Sequence, residues 1–209
     1  MSQLPEPWNS EYAARKDAIR ARLQDFASIQ PEQYFYELAF CLLTPQSSAR
    51  NADLVITELQ RDGFLTIGFD PTPYLRDTRH YIRFHNVKSA RLLRVREEWA
   101  NIQPLLEDRS VAPFALRERV LERIHGMGMK EASHFLRNIG VRGLAILDRH
   151  IFKHLASLNV IAEIPKNAPS KKQYLQIEEA WHTFAREVGI SLDELDLLFW
   201  SMETGEIRK

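Results

Sequence analysis

The sequence has little of several features that mark common classes of protein. It contains one cysteine, Cys41, in 209 residues, which excludes a disulfide framework and any zinc or iron–sulfur site built from several cysteines. No apolar run approaches the ~20 residues that cross a membrane, and the first residues lack the apolar core of a secretory signal. We therefore expect a cytoplasmic protein that folds without cysteine cross-links.

Net charge is also missing, since 28 lysines and arginines balance 28 aspartates and glutamates. Nucleic-acid-binding proteins are more often basic, so this balance favours a helical protein-interaction domain. The cations nevertheless concentrate between residues 71 and 97, and this stretch predicts either a solvated helix face or a surface for non-specific DNA binding. Its cations are Arg76, Arg79, Arg83, Lys88, Arg91, Arg94 and Arg96.

Apolar residues recur at helical spacing along the chain, and no segment shows the alternation that is typical of a strand. Predicted helix N-caps are Ser47 or Ser48, Ser170, and Ser191, which forms a capping box with Glu194. Glycines and prolines predict a loop over 63–75, and a long helix is expected over 88–105. Together these patterns predict an all-α protein of about ten helices.

The most informative stretch is 120–151, in which two helical segments flank a short glycine-containing turn. Gly126 and Gly128 carry no side chain, so the backbone there can approach a phosphate group closely. The helix that follows begins with free N–H groups at the positive end of its dipole, which favours an anion. The pattern predicts a helix-hairpin-helix that holds a DNA backbone, with a simple turn between helices as the alternative.

Two residues near this turn have side chains suited to catalysis. Lys130 lies in the first turn of the second helix, where the dipole favours the neutral amine that forms a Schiff base. An exposed lysine without a catalytic role is the alternative. Asp148 separates an apolar run from the next helix and is a natural N-cap. A carboxylate kept ionised there can also accept a proton or stabilise positive charge on a sugar.

These motifs resemble a known family of DNA repair enzymes. The matching stretches are FCLLTPQSSARNA (40–52), GMGMKEASHFLRNIG (126–140), LAILDRHI (144–151) and DLLFWSMETGEIRK (196–209). They are similar to the helix-hairpin-helix DNA glycosylases of the endonuclease III-like superfamily, and especially to the archaeal-type 8-oxoguanine DNA glycosylase/AP lyases. Unlike endonuclease III, this chain lacks the four-cysteine cluster loop.

The resemblance implies two helical lobes with an active-site cleft between them. It assigns 31–147 to a central lobe, with the helix-hairpin-helix at 115–139, and 1–30 plus 148–209 to a second lobe. In the implied reaction Lys130 displaces 8-oxoguanine and forms a Schiff base with the deoxyribose, Asp148 assists, and β-elimination cleaves the strand. The reaction requires neither a redox cofactor nor a metal. The implied partner is double-stranded DNA containing oxidised guanine, bound by a monomer that associates with the nucleoid.

The resemblance also implies further contacts with DNA. The residues expected to bind DNA are Gly126, Gly128, Gln46, Arg83, Lys88 and His150. The residues expected to recognise the flipped base are Trp200, Phe84, His134 and Lys209. Gln46 is expected to enter the base stack, and ordinary loop or core positions are the alternatives for Gln46 and the aromatic residues. Two other functions stay open: the same chemistry on an oxidised pyrimidine, and DNA binding by the hairpin without catalysis.

Overall fold

The computed structural model describes residues 3–108 and 110–208, and within these ranges it contains helices and no strand. The all-α fold expected from the sequence is confirmed. We call Ile29–Phe135 the central unit and Met1–Ser28 with Leu136–Lys209 the terminal unit, because each range forms a compact body. The α-helices are α1 (Trp8–Ser28), α2 (Tyr34–Leu43), α3 (Ala49–Arg61), α4 (Phe64–Ile67), α5 (Thr72–Arg76), α6 (His85–Glu107), α7 (Pro113–Arg123), α8 (Met129–Asn138), α9 (Arg149–Ser157), α10 (Lys171–Val188) and α11 (Leu192–Thr204).

Helix α2 forms the middle of the central unit, since nearly all of its side chains are buried. A short 3-10 turn, Pro31–Gln33, leads into it, with the proline at the first position as the sequence predicts. Helices α3 and α6 pack on α2. The ring of Trp99 on α6 meets Phe35 on α2 edge-on, with centroids 5.3 Å apart. This packing holds the long helix α6 against α2 in the central unit.

Helix α11 forms the middle of the terminal unit and packs against α1, α9 and α10. The ring of Phe199 stacks on His154, with centroids 4.8 Å apart, and on Trp181, at 6.2 Å. Gly140 ends α8 at a φ of +89°, and a Cβ there would lie 2.9 Å from the Cα of Ala27. Only glycine therefore allows this close approach between the end of α8 and the end of α1.

The predicted helix caps are confirmed, because Ser48, Ser170 and Ser191 each accept a hydrogen bond from the backbone three residues later. The prediction of a loop over 63–75 is wrong, because α4 and α5 occupy much of it. Their apolar residues Phe64 and Leu75 are buried, and this tertiary burial outweighs the local glycines and prolines. The long helix runs over 85–107, slightly beyond the expected 88–105.

The boundaries between the two units lie between residues 28 and 29 and between residues 135 and 136, and the second boundary is within α8. The division implied by the resemblance, with 31–147 as the central lobe, stays a prediction about the enzyme's lobes. Within the described ranges, every helix is too short or too polar to traverse a bilayer.

Candidate active-site residues

Helices α7 and α8 form the predicted helix-hairpin-helix, and α7, the turn and the first part of α8 belong to the central unit. The apolar residues expected to join them, Val120, Ile124, Met127, Ala132 and Phe135, are all buried. The amide of Ala132 donates to the carbonyl of Gly128 at 2.9 Å, so helical hydrogen bonding begins directly after the turn. The turn therefore places the start of α8 at the surface with its first amides outside the helical ladder.

The two glycines of the hairpin have different local surroundings. Gly126 has a φ of +87°, and a Cβ there would collide with the side chain of Arg91 on α6. A Cβ on Gly128 would lie 2.8 Å from a carboxylate oxygen of Glu131. The positive φ and the contact with Arg91 explain Gly126, whereas a shift of the flexible Glu131 side chain would make room for a Cβ at Gly128. The contact of both glycines with a DNA phosphate stays a prediction.

Lys130 is the second residue of α8, and its side chain is 31% exposed. Its Nζ lies 3.4 Å from Oε1 of Glu131. The sequence analysis did not identify Glu131, although an acid in the first turn of a helix is favoured by the dipole and was a visible signal. The amine is half-buried at a helix start beside a carboxylate, and its attack on a sugar stays a prediction.

Asp148 caps α9 in the terminal unit, as the sequence predicts. Its Oδ1 accepts hydrogen bonds from the amides of His150, at 2.8 Å, and Ile151, at 2.9 Å. Both bonds use the same oxygen, so the carboxylate is fixed in orientation while Oδ2 takes part in neither of them. A carboxylate held in this way is suited to stabilise a cation or accept a proton.

The segment before Asp148 is held by acidic side chains that the sequence analysis did not identify. Oε1 of Glu178 accepts from the amide of Ala145 at 2.7 Å. Oδ2 of Asp193 accepts from the amide of Gly143 at 3.0 Å. Burial raises the pKa of Asp193, partly opposed by this hydrogen bond. These contacts join residues far apart in sequence, so no local pattern indicated them.

A buried ion pair lies in the same unit. Nη1 of Arg137 is 2.6 Å from Oδ2 of Asp196, and both side chains are buried. The pKa of Asp196 is raised to about 7, because burial and the negative charge of Asp148 raise it by more than Arg137 lowers it. The negative charge of Asp148 therefore favours the protonated form of the buried Asp196 carboxyl.

Two loops of the central unit carry predicted DNA contacts. Gln46, between α2 and α3, and Phe84, before α6, both have exposed side chains, and both have positive φ angles, +56° and +59°. Arg83 is exposed, with its guanidinium carbon 5.0 Å from the centroid of the Phe84 ring. These positions agree with the access that a DNA contact needs, and the contacts stay predictions.

Lys88 lies in the interior. Its residue exposure is 2%, and its Nζ donates to the carbonyls of Leu43 and Pro45, each at 2.7 Å, and to Oγ of Ser47 at 3.0 Å. The expected contact between Lys88 and DNA is therefore corrected: the ammonium is committed to oxygens inside the central unit. In the sequence, Lys88 differs in no visible way from the exposed cations around it.

The remaining predicted residues are distributed over both units. His134, one turn after Lys130, is half-buried, and its ring meets Phe40 edge-on with centroids 5.9 Å apart. Trp200 is half-buried on α11, next to the fully buried Phe199. Lys209 lies outside the described residues. The roles of these side chains in base recognition stay predictions.

His150 follows the Asp148 cap in the first turn of α9. Its Nδ1 lies 3.6 Å from Oε2 of Glu203, and the side chain is partly exposed. A partly exposed histidine at a helix start has the position expected of a phosphate contact, while Glu203 faces it from α11. Its binding of DNA stays a prediction.

Comparisons with known proteins agree with these motifs. A family model described as 8-oxoguanine DNA glycosylase matches residues 19–190. An 8-oxoguanine DNA glycosylase/AP lyase of Methanocaldococcus jannaschii is 38% identical, covering 100% of this chain and 99% of that protein. A relative of the same name from Fusobacterium nucleatum is 37% identical, covering 95% of this chain and 94% of that protein.

Solved structures give the same result. The crystal structure of the Methanocaldococcus jannaschii 8-oxoguanine glycosylase/lyase in complex with a 15mer DNA containing 8-oxoguanine has a TM-score of 0.83 and 34% identity. It matches 96% of this chain and 98% of that one. The 8-oxoguanine DNA glycosylase of Thermotoga maritima also has a TM-score of 0.83, at 31% identity, covering 97% of this chain and 96% of that one. The chain belongs to the 8-oxoguanine DNA glycosylase family.

Proposed function

We propose that this chain is a bifunctional DNA repair glycosylase that excises 8-oxoguanine and then cleaves the abasic strand. The observation that carries the proposal is the half-buried amine of Lys130 at the start of α8, directly after the hairpin turn. Relatives that match nearly the whole chain bear the name of this double activity, which supports the choice of reaction. We further propose that the enzyme acts on duplex DNA as a monomer in the cytoplasm, in association with the nucleoid.

The proposed reaction begins with nucleophilic displacement. The neutral Nζ of Lys130 bonds to C1′ of the deoxyribose, the bond from C1′ to N9 of the base breaks, and the base leaves with the bonding electrons and takes up a proton. Opening of the sugar ring then gives a protonated Schiff base between Nζ and C1′. The role proposed for Asp148 is to accept the proton of the lysine ammonium and to stabilise positive charge on the sugar. This requires both groups to reach one deoxyribose when DNA is bound.

Strand cleavage follows from the same intermediate. The Schiff base acidifies the protons on C2′, so loss of one of them expels the 3′ phosphate by β-elimination. Water then hydrolyses the imine and restores the lysine. None of these steps needs an oxidant or a reductant. We propose that Trp200, Phe84, His134 and Lys209 recognise the base, and that Gly126, Gly128, Gln46, Arg83 and His150 bind the DNA around it.

Reductive trapping tests the covalent step. With borohydride, a duplex carrying 8-oxoguanine opposite cytosine should become cross-linked to the wild-type protein, and Lys130→Gln should give no cross-link. Lys172→Gln is the matched control, because Lys172 is likewise the second residue of a helix, α10, and should trap like the wild type. A cross-link formed by Lys130→Gln would remove Lys130 from the mechanism.

The choice of lesion is tested separately. Duplexes that carry an oxidised pyrimidine should be cleaved far more slowly than the 8-oxoguanine duplex. Faster cleavage of the pyrimidine lesion would retain the chemistry and overturn the substrate. Binding of both duplexes without any cleavage would favour a non-catalytic DNA-binding protein.

A further inference from the structure

Two strained loops of the central unit share an unusual feature. Gln46 and Phe84 hold positive φ angles of +56° and +59°, although neither is a glycine. Such a backbone is unfavourable for a residue that carries a side chain, and it persists only where the surroundings enforce it. The Phe84 residue is 47% exposed and Gln46 is also exposed, so burial of their own side chains does not supply the constraint. The constraint must act on the backbone.

Lys88 acts on the backbone of the first loop. Its Nζ donates to the carbonyl of Pro45, directly before Gln46, and to the hydroxyl of Ser47, directly after it. The third bond goes to the carbonyl of Leu43, the last residue of α2, where a cation faces the negative end of the helix dipole. One ammonium therefore fixes the end of α2 and both sides of Gln46.

The second loop is joined to the first through the same hydroxyl. Oγ of Ser47 also accepts a hydrogen bond from the backbone amide of Arg83, at 3.0 Å, directly before Phe84. Lys88 itself lies one helical turn after Phe84 on α6, and its amide donates to the Phe84 carbonyl at 3.0 Å. The two strained residues are thus connected through a single buried side chain.

Burial of the Lys88 ammonium is costly in free energy. Burial, together with the nearby charge of Arg91, lowers its pKa to about 8. The three hydrogen-bond acceptors of Nζ are neutral oxygens, so none of them offsets the burial of the charge as a carboxylate would. A charge kept at such a cost beside two strained, exposed residues indicates a functional constraint.

We propose that Lys88 is a positioning residue, which locks Gln46 and Phe84 together as a rigid pair presented to duplex DNA. This inference rests on the proposed function for its substrate, while the coupling of the two loops does not. A side chain that enters the base stack, as proposed for Gln46, and one that receives the flipped base, as proposed for Phe84, must both hold their positions while the stack opens. A preorganised backbone is therefore needed on a duplex. A single-stranded abasic substrate has no stack to open and should need the pair much less.

Helix α6 offers a matched control in Arg96. Its Nε donates to the carbonyls of Phe64 and Leu65, both at 3.0 Å, in the short helix α4. Arg96 therefore makes the same kind of contact from the same helix to a segment without predicted DNA contacts. Its guanidinium is committed to these carbonyls, so Arg96 does not belong to the DNA-binding surface that its basic stretch suggested. Lys88→Met and Arg96→Met both remove a cation that holds backbone carbonyls, and only the first should affect the two strained loops.

The first measurement is hydrogen exchange of the DNA-free protein. In Lys88→Met, peptides covering 44–48 and 80–87 should both exchange faster, by about tenfold or more, the size expected for lost hydrogen bonds to a charged group. Ser47→Ala, which leaves the two carbonyl bonds of Lys88 in place, should loosen 80–87 more than 44–48. Arg96→Met should leave both peptides as in the wild type. Unchanged exchange in Lys88→Met, or loosening of one loop alone, would overturn the coupling.

The second measurement compares two substrates. For Lys88→Met the ratio of cleavage on an 8-oxoguanine duplex to cleavage on a single-stranded abasic oligonucleotide should fall about tenfold or more. The same ratio should stay within about twofold of the wild type for Arg96→Met. An equal loss on both substrates would make Lys88 a merely structural residue. If the wild type cleaves neither substrate, the proposed function fails while the exchange measurement still decides the coupling.

Discussion

The loops that carry candidate site residues are held by side chains of opposite charge in the two units. In the central unit, Lys88 and Arg96 reach from α6 and donate to backbone carbonyls. In the terminal unit, Glu178, Asp193 and Asp148 accept from backbone amides between residues 143 and 151. The cations hold helix ends or the loops after them, whereas the acids hold an extended segment and the start of a helix. The difference shows that a chain with no net charge can hold one set of loops with cations and another with acids.

The largest test of this comparison is Asp148→Asn. The amide oxygen still caps α9, so the melting temperature should stay near that of the wild type. Loss of the negative charge should lower base excision by about 10²–10³-fold, as for other electrostatic stabilisers. Single-turnover excision of 8-oxoguanine measures this loss.

The control is Glu178→Gln, in which an acid that accepts from the backbone amide of Ala145 is neutralised in the same unit. This variant should alter stability and leave the excision rate per folded molecule unchanged. Equal excision by Asp148→Asn and the wild type would reduce Asp148 to a cap, like the other acids of its unit.

The next effect concerns pH and Asp196. Its folded pKa of about 7 lies above the ordinary value of 3.8, so between these values the folded state binds more protons than the unfolded state. Its contribution is present below about pH 4 and is lost as the pH rises through 7. Where the folded and unfolded pKa values differ by one, the free energy of unfolding changes by about 1.4 kcal/mol. Urea unfolding at pH 5 and pH 8 should show a steeper decline in the wild type than in Asp196→Asn, and parallel declines would contradict it.

Lys88 should give the opposite response. Its folded pKa of about 8 lies below the ordinary value of 10.5, so the unfolded state binds more protons in this window. Its contribution to the free energy of unfolding therefore rises between about pH 8 and 10.5, by less than the Asp196 contribution changes, because its pKa departs less from the ordinary value. Unfolding curves of the wild type at pH 8 and pH 10 should differ more than those of Lys88→Met. The same difference in both proteins would remove this contrast between the units.

The smallest effect is on the salt dependence of DNA binding. Arg83 is exposed, and if it contacts one phosphate, Arg83→Ala should flatten the slope of log K against log salt by about 0.9. Lys88→Met should leave this slope unchanged, because its ammonium is committed to Leu43, Pro45 and Ser47. Titrations of an undamaged duplex at several salt concentrations measure both. A flatter slope for Lys88→Met would show that Lys88 contacts DNA, contrary to the buried position of its ammonium.

Local signals in the sequence were sufficient for the parts of this molecule that form within a few residues. The caps at Ser48, Asp148, Ser170 and Ser191 each bond to an amide two or three residues away, so residue type and spacing predict them. The hairpin follows in the same way, from two glycines between two apolar helical stripes. Lys130 was identified because it lies in the first turn of the helix after the hairpin glycines. Asp148 was identified because it lies between an apolar run and the next helix.

The tertiary structure decided which charges are buried and what they hold. Nothing near Lys88 in the chain distinguishes it from Arg91 or Arg94, because its partners lie more than forty residues earlier. Asp196 and its partner Arg137 are likewise separated by 59 positions. A charged side chain is buried only where the fold supplies oxygens or an opposite charge to receive it. These partners come from helices that are distant in the sequence, so they depend on how the helices pack. The sequence alone therefore determined the helices and the hairpin, and only the packing decided which cations remain available for DNA.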